Sequence, residues 1–123
     1  MGWEVYPKAI AQILLRVHQC YAPQALYITE CGAAYGDEPD ADGVVDDARR
    51  IAFLDGYFRA AQQAIALDVP LKGFLVWSLL DNFEWSFGYT KRFGIIHVDY
   101  NTQKRTFKNS ALWYRKVIAR NGL

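Results

Sequence analysis

The chain has 123 residues, 52% of them hydrophobic and 15% aromatic, and a formal net charge of +1. That composition is enough to bury a core as one domain in water and excludes a disordered chain. The chain has no run of about 18 uncharged apolar residues that could span a membrane, and its interspersed charges leave no electrostatic footprint for nucleic acid.

Pro7 suits a first helical position, and Ile10, Ile13, Leu14, Val17 and Tyr21 recur at helical spacing, so residues 7–21 are expected to form an amphipathic helix ending near Ala22-Pro23. Residues 25–29 are apolar, partly β-branched and too few for a helix, which predicts a strand buried on both faces. Gly36 to Gly43, built from Gly, Pro, Asp and Glu, is expected to be a mobile surface loop. Asp46 or Asp47 then caps a second helix, with Ile51, Leu54, Phe58, Ala61 and Ile65 on one face. Gly56 inside it costs about 1 kcal/mol relative to Ala.

Beyond Val69-Pro70, the run Gly73-Phe74-Leu75-Val76-Trp77 predicts a second buried strand. Residues 94–100 and 104–107 alternate well enough to pair across a turn at Asn101-Thr102-Gln103, and the basic residues Lys104, Arg105 and Lys108 read as a solvated cluster there. Asn109 or Ser110 caps a last helix carrying Leu112, Trp113, Val117 and Ile118. Helix, strand, helix, strand, hairpin and helix is the order of parallel α/β architecture, where chemistry gathers at strand C-termini. Two parallel strands cannot close a barrel, which takes eight strands and about 250 residues, so the chain is expected to be one contiguous piece of a larger fold.

Two segments sit at strand C-termini. Glu30 follows the first strand and is followed by Cys31-Gly32, where the backbone can turn sharply; a carboxylate placed there can attack or protonate a bound group, or serve structure alone. After the second strand, Trp77, Phe83, Trp85 and Phe93 surround Asp81, Asn82 and Glu84 in sequence, offering flat apolar faces beside hydrogen-bonding groups, as a sugar ring requires. Such aromatics also fill cores. Cys20 and Cys31 form no CxxC pair or zinc spacing, and no metal or cofactor is expected. Two thiols without a disulfide framework, and an N-terminus Met1-Gly2-Trp3-Glu4 unlike a secretory signal, point to the cytoplasm. His18 and His97 lack a neighbouring nucleophile in sequence and read as structural.

Tyr27-Ile28-Thr29-Glu30-Cys31-Gly32-Ala33-Ala34 resembles the I-T-E-N-G motif of family 1 glycoside hydrolases, the β-glucosidases and β-galactosidases, and Val76-Trp77-Ser78-Leu79-Leu80-Asp81-Asn82-Phe83-Glu84-Trp85 resembles that family's second signature. Met1 to Pro7, Gly88 to Gly94, Val98-Asp99-Tyr100 and Gln103 to Thr106 follow the family's course as well. The resemblance implies the C-terminal part of a (β/α)8 TIM barrel, about strands seven and eight with their flanking helices, over residues 1–123. In that arrangement Leu26, Ile28, Phe74 and Val76 are expected to face the barrel interior.

By the same resemblance Glu30 matches the catalytic nucleophile, Trp77 the residue that stacks beneath the nonreducing sugar, and Glu84 with Trp85 the pair that holds hydroxyls on its C4 and C6 side. Phe93 matches the aromatic closing that pocket, and Trp3 a wall of the aglycone site. The implied substrate is a β-glucoside or oligosaccharide. Phospho-β-glucosidases carry serine where Glu84 stands, so an unphosphorylated sugar is favoured. The family's acid/base glutamate lies in a T-[FL]-N-E-P motif absent from these residues, which makes the remaining N-terminal part of the barrel the implied partner. A noncatalytic sugar-binding module and an inactive truncated fragment are the alternatives. Cys31 departs from the family, which has Asn there, and strand alternation points it away from the face that carries Glu30.

Overall fold

A computed structural model describes residues 1–123. Three helices, α1 (Lys8–Tyr21), α2 (Ala48–Ile65) and α3 (Asn109–Arg120), pack beside two small sheets. β1 (Leu26–Ile28) and β2 (Leu71–Phe74) pair in parallel with α2 as the crossover, while β3 (Ile96–Val98) and β4 (Arg105–Phe107) form an antiparallel hairpin. A short 3-10 turn spans Trp85–Phe87. No helix is long and apolar enough to cross a membrane.

The element order agrees with the sequence reading, and the differences are local. On α1 the buried positions are Ala11 and Leu14, whereas Ile13 and Tyr21 are exposed. On α2 the apolar part of the buried stripe is Phe53, Leu54, Ala60, Ala61 and Ala64, with Ile65 exposed. Three small alanines let α2 lie close against α1 and β1, where they join Ala11, Leu14, Ile28 and Val69 in one apolar cluster. A second cluster forms from Phe53, Leu54, Ile95 and Ala111. Phe58 knits α2 to β2 and α3, its ring edge-on to Phe74 at 4.6 Å and stacked on Trp113 at 5.8 Å. Gly56 has a packing reason: a Cβ there would meet Pro7 at 3.0 Å, so glycine admits the first turn of α1.

The strand expected to be buried on both faces has one open face, with Tyr27 60% exposed and Ile28 buried. β2 begins two residues early, yet its bonding continues past Phe74 through Leu75 and Trp77. The side chains expected to face a barrel interior face the helices instead, since Leu26, Ile28 and Phe74 pack on the first cluster and Val76 on the second. The open face carries Tyr27, Leu75 and Trp77. One extra residue in the ladder causes the reversal. Ile28 O accepts from Leu75 N at 2.8 Å and Cys31 O from Trp77 N at 2.9 Å, three residues on one strand against two on the other. Such a bulge shifts side-chain parity, so counting back from Glu30 selects the wrong face.

Buried charge organises the other half of the chain. Lys108, expected in a solvated cluster, is 0% exposed and donates Nζ to Asp37 at 2.7 Å and to Asp81 at 3.0 Å. Asp81 also accepts from Arg92 Nη1 at 3.0 Å and from the backbone N–H of Gly94 at 2.9 Å. Asp37 pairs with Arg50, and Arg92 reaches Glu38 at 3.0 Å, so the loop expected to be mobile is tied down at two successive residues. Asp47 occupies the N-cap of α2 but spends its carboxylate elsewhere. It accepts from Arg50 Nε at 2.9 Å and from the Ser110 N–H at 2.8 Å, so α3 is capped from another element instead of by Asn109 or Ser110.

Removing one partner from such a network leaves the others charged and dry. Lys108→Met should therefore lower stability by about 3–5 kcal/mol in denaturant unfolding. A change within about 1 kcal/mol, as at a surface pair, would contradict the buried network.

Candidate active site

The candidate residues lie on four stretches of chain, and those that carry Glu30 and Trp77 meet beyond the C-terminal ends of β1 and β2. Ile28 is pinned to Leu75 and Cys31 to Trp77, so Glu30 lies in the bulge between two fixed points and is exposed on the open face. Bulges re-aim side chains in this way. Gly32 follows, packed so tightly that a Cβ would fall inside the Trp77 carbonyl. Trp77 is 38% exposed and is joined to Ser78 by a cis peptide bond. The backbone of Ser78 then bonds Phe93 O at 3.2 Å and Ile95 N at 2.9 Å, which sets the stretch that carries Phe93 beside the one that carries Trp77.

Phe93 is buried, with its ring centroid 6.3 Å from that of Trp3. Trp3 itself is exposed and lines a cleft with Ala33, Ala34 and Tyr35, which follow Glu30 closely in the chain, and with Arg49 of α2. Glu84 starts the short turn that carries Trp85, and its N–H donates to Gly88 O at 2.7 Å. Trp85 is 84% exposed, a large apolar surface with nothing over it in this chain.

Asp81 leaves the candidate set. Its carboxylate is buried among Lys108, Arg92 and the Gly94 N–H, which corrects the expectation that it stands beside a sugar. Asn82 is turned inward too, donating Nδ2 to Ser78 Oγ at 3.0 Å and to Leu80 O at 3.1 Å. Across the chain, five carboxylates have no hydrogen-bonded or ionic partner: Glu4, Glu30, Asp42, Asp68 and Glu84. Of these, Glu30 and Glu84 lie in the two motif-like stretches after β1 and β2, whereas Asp42 lies farther along the loop between β1 and α2. His97 is buried with Nε2 3.5 Å from Glu38, and His18 lies on α1. No three His, Cys, Asp or Glu side chains gather where they could hold a metal ion.

The sequence model of glycosyl hydrolase family 1 matches residues 1–123. The chain belongs to that family. It is 54% identical over 123 residues to β-glucosidase A of Thermotoga maritima, with all of this chain aligned to 28% of that protein. It is 44% identical over 122 residues to β-glucosidase A of Acetivibrio thermocellus, of which it covers 27%. A structure of the Thermotoga maritima family 1 β-glucosidase in complex with isofagomine lactam superposes with a TM-score of 0.99, again over 100% of this chain and 28% of that one. Complexes of the same enzyme with glucoimidazole and deoxynojirimycin give the same score. This family 1 chain therefore spans just over a quarter of the length of the relatives it matches, and its α/β elements are a fragment of their TIM barrel.

Sequence reasoning did not single out Arg50, Asp37 or Arg92, whose side chains hold the candidate segments in register. Arg50 and Asp37 sit in a helix and a loop outside the family-like stretches, Arg92 lies in one of them with no role attached to it, and only the long-range contacts show what the three side chains do.

Two outcomes follow for the segment after Glu30. Gly32→Ala forces backbone against backbone at Trp77, so it should destabilise the chain by about 3 kcal/mol or more in denaturant unfolding and displace Glu30. Cys31 packs against both apolar clusters, and burial pushes its thiol up to about 12. Its neutral form is therefore the one that folding favours, and the contribution is fully present below the ordinary thiol range. It is lost as pH rises from about 9 towards 12, because the unfolded thiol ionises first. A thiol reagent at neutral pH should modify the exposed Cys20 quickly and Cys31 only on unfolding. Equal rates at the two thiols would show that Cys31 is not held in the core.

Proposed function

We propose that this chain is the nucleophile-bearing part of a retaining β-glycosidase of the β-glucosidase type. It corresponds to about strands seven and eight of the barrel, and residues outside the chain supply the acid/base glutamate. The observation that carries the reading is the placement of Glu30. It is an uncommitted carboxylate, exposed in a bulge at the end of a parallel strand and pinned on both sides to the strand that ends at Trp77.

In the proposed reaction a terminal nonreducing β-D-glucosyl residue lies over the indole of Trp77, with Glu84 and Trp85 receiving its hydroxyls, Phe93 closing the pocket and Trp3 facing the leaving group. A Glu30 carboxylate oxygen bonds to the anomeric carbon as the glycosidic C–O bond breaks, and the external acid protonates the departing oxygen. Water, deprotonated by that same residue, then attacks the anomeric carbon and releases Glu30. Retention requires the two carboxyl groups to stand about 5 to 5.5 Å apart across the bond. A carboxylate at Glu84 repels a phosphorylated sugar and suits an unmodified one. The free thiols Cys20 and Cys31 are compatible with a reducing, cytoplasmic setting.

The test replaces the matching stretch of the Thermotoga maritima relative with this chain and exposes the hybrid to a 2-deoxy-2-fluoro-β-glucosyl fluoride. Fluoride leaves and a stable ester forms on the nucleophile. The peptide containing Glu30 should gain the mass of one fluorosugar, and Glu30→Gln should abolish the gain. Label on another residue would overturn the assignment, and sugar binding with no label at all would favour a noncatalytic module.

A further inference from the structure

Arg50 lies in the first turn of α2, is 1% exposed and belongs to neither signature stretch. Every N–H of its guanidinium has an acceptor. Nε donates to Asp47 at 2.9 Å; Nη1 donates to the carbonyls of Ala33 and, at 3.2 Å, Phe93; Nη2 donates to Asp37 and, at 3.0 Å, to the carbonyl of Arg92. The two carboxylates balance its charge. The three carbonyls do something more specific, because they belong to the segment leaving Glu30 and to the segment that carries Phe93.

We infer that Arg50 is a positioning residue for Glu30, its planar fork locking the chain that leaves the nucleophile against the Phe93 side of the sugar pocket. This rests on the reading of Glu30 given above. The path from Glu30 to that fork has no slack. Cys31 O is bonded to Trp77 N, Gly32 is pressed on the Trp77 carbonyl, Ala33 O is held by Arg50, and Tyr35 N donates to Arg92 O at 3.2 Å. Upstream, Ile28 is pinned to Leu75. A shift of Ala33 therefore passes to the bulge and to the Glu30 carboxylate.

Other cations cannot take over this task. Arg49 is exposed and lies over the Tyr35 ring at 4.9 Å, and Arg92 and Lys108 are committed to Asp81. A lysine at position 50 would carry one ammonium with three donors, unable to reach acceptors spread around a planar fork. It would keep a positive charge near Asp37 and Asp47 while releasing the carbonyls. Charge balance and positioning are thereby separable.

The experiment uses the hybrid barrel described above, with and without Arg50→Lys. In the folded variant kcat should fall roughly a hundredfold, the scale associated with a misplacement of about 1 Å. KM should stay within about threefold. The rate of fluorosugar labelling at Glu30 should fall with kcat. Millimolar guanidinium added to Arg50→Ala should restore part of the labelling rate, which a purely structural loss would not show. Should Arg50→Lys fail to fold, Asp37→Asn takes its place: it loosens one side of the fork and should lower kcat about tenfold. A folded Arg50→Lys or Asp37→Asn with the parental kcat, or activity lost only in proportion to unfolded protein, overturns the inference. A parent hybrid that never labels Glu30 instead overturns the reading of Glu30, and this inference with it.

Discussion

The rest of the structure depends on the burial of charge beneath its loops. Arg50, Lys108 and the partly buried Arg92 are set against Asp37, Asp47 and Asp81, three cations facing three carboxylates on five different stretches of chain. Taking each ion out of water costs several kcal/mol, and the mutual attraction offsets that only when the remaining donors and acceptors are also filled. Here they largely are: the surplus donors of Arg50 and Arg92 go to backbone carbonyls, and the surplus oxygens of Asp47 and Asp81 take backbone N–H groups. An apolar core of the same size could not do this. Loops carry backbone polar groups that need partners, and polar side chains supply them while fixing one arrangement.

Above that network stands the bulge between Ile28 and Cys31. A regular parallel ladder would put Glu30 on the same face as Ile28, in the apolar cluster beneath α1 and α2. Burying an unpaired carboxylate there would cost more than the ladder could return. The extra residue resolves the conflict by turning Glu30 outward and Cys31 inward, where a thiol behaves as a small apolar group and contributes to both clusters. Asparagine at that position would need partners for its amide, so cysteine changes what the second position of the motif asks of its surroundings without touching the face that carries Glu30.

How much of this was legible beforehand follows from the range of each interaction. The helices and strands rest on local periodicity, and residues 7–21, 94–100 and 104–107 were placed within a few positions on that basis. Glu30, Trp77 and Glu84 stand out in the sequence because they sit in long motif-like stretches, and the roles given to them are proposals. Which face of β1 points outward was not, because parity depends on one unpaired residue that no alternation pattern marks. Lys108 and Asp81 were misread for a related reason. A lysine beside Lys104 and Arg105 looks solvated, and an aspartate beside Asn82 and Glu84 looks available, until the fold brings them within 3.0 Å of each other.

The two sides of the chain are unequal, and the inequality bears on chemistry. The helix side is closed by two apolar clusters and the ion network, whereas the side carrying Glu30 leaves Tyr27, Leu75, Trp77, Leu79 and Trp85 open to water. Covering that side would lower the local dielectric around Glu30, strengthening any interaction with charge that develops on a bound sugar and excluding all but the reacting water. A glycosidic bond needs a carboxylate on each flank. On the proposed reading, residues beyond this chain that cover the open side would both bury the exposed aromatics and bring the second carboxylate opposite the first, so that completing the fold and completing the reaction would be one structural event.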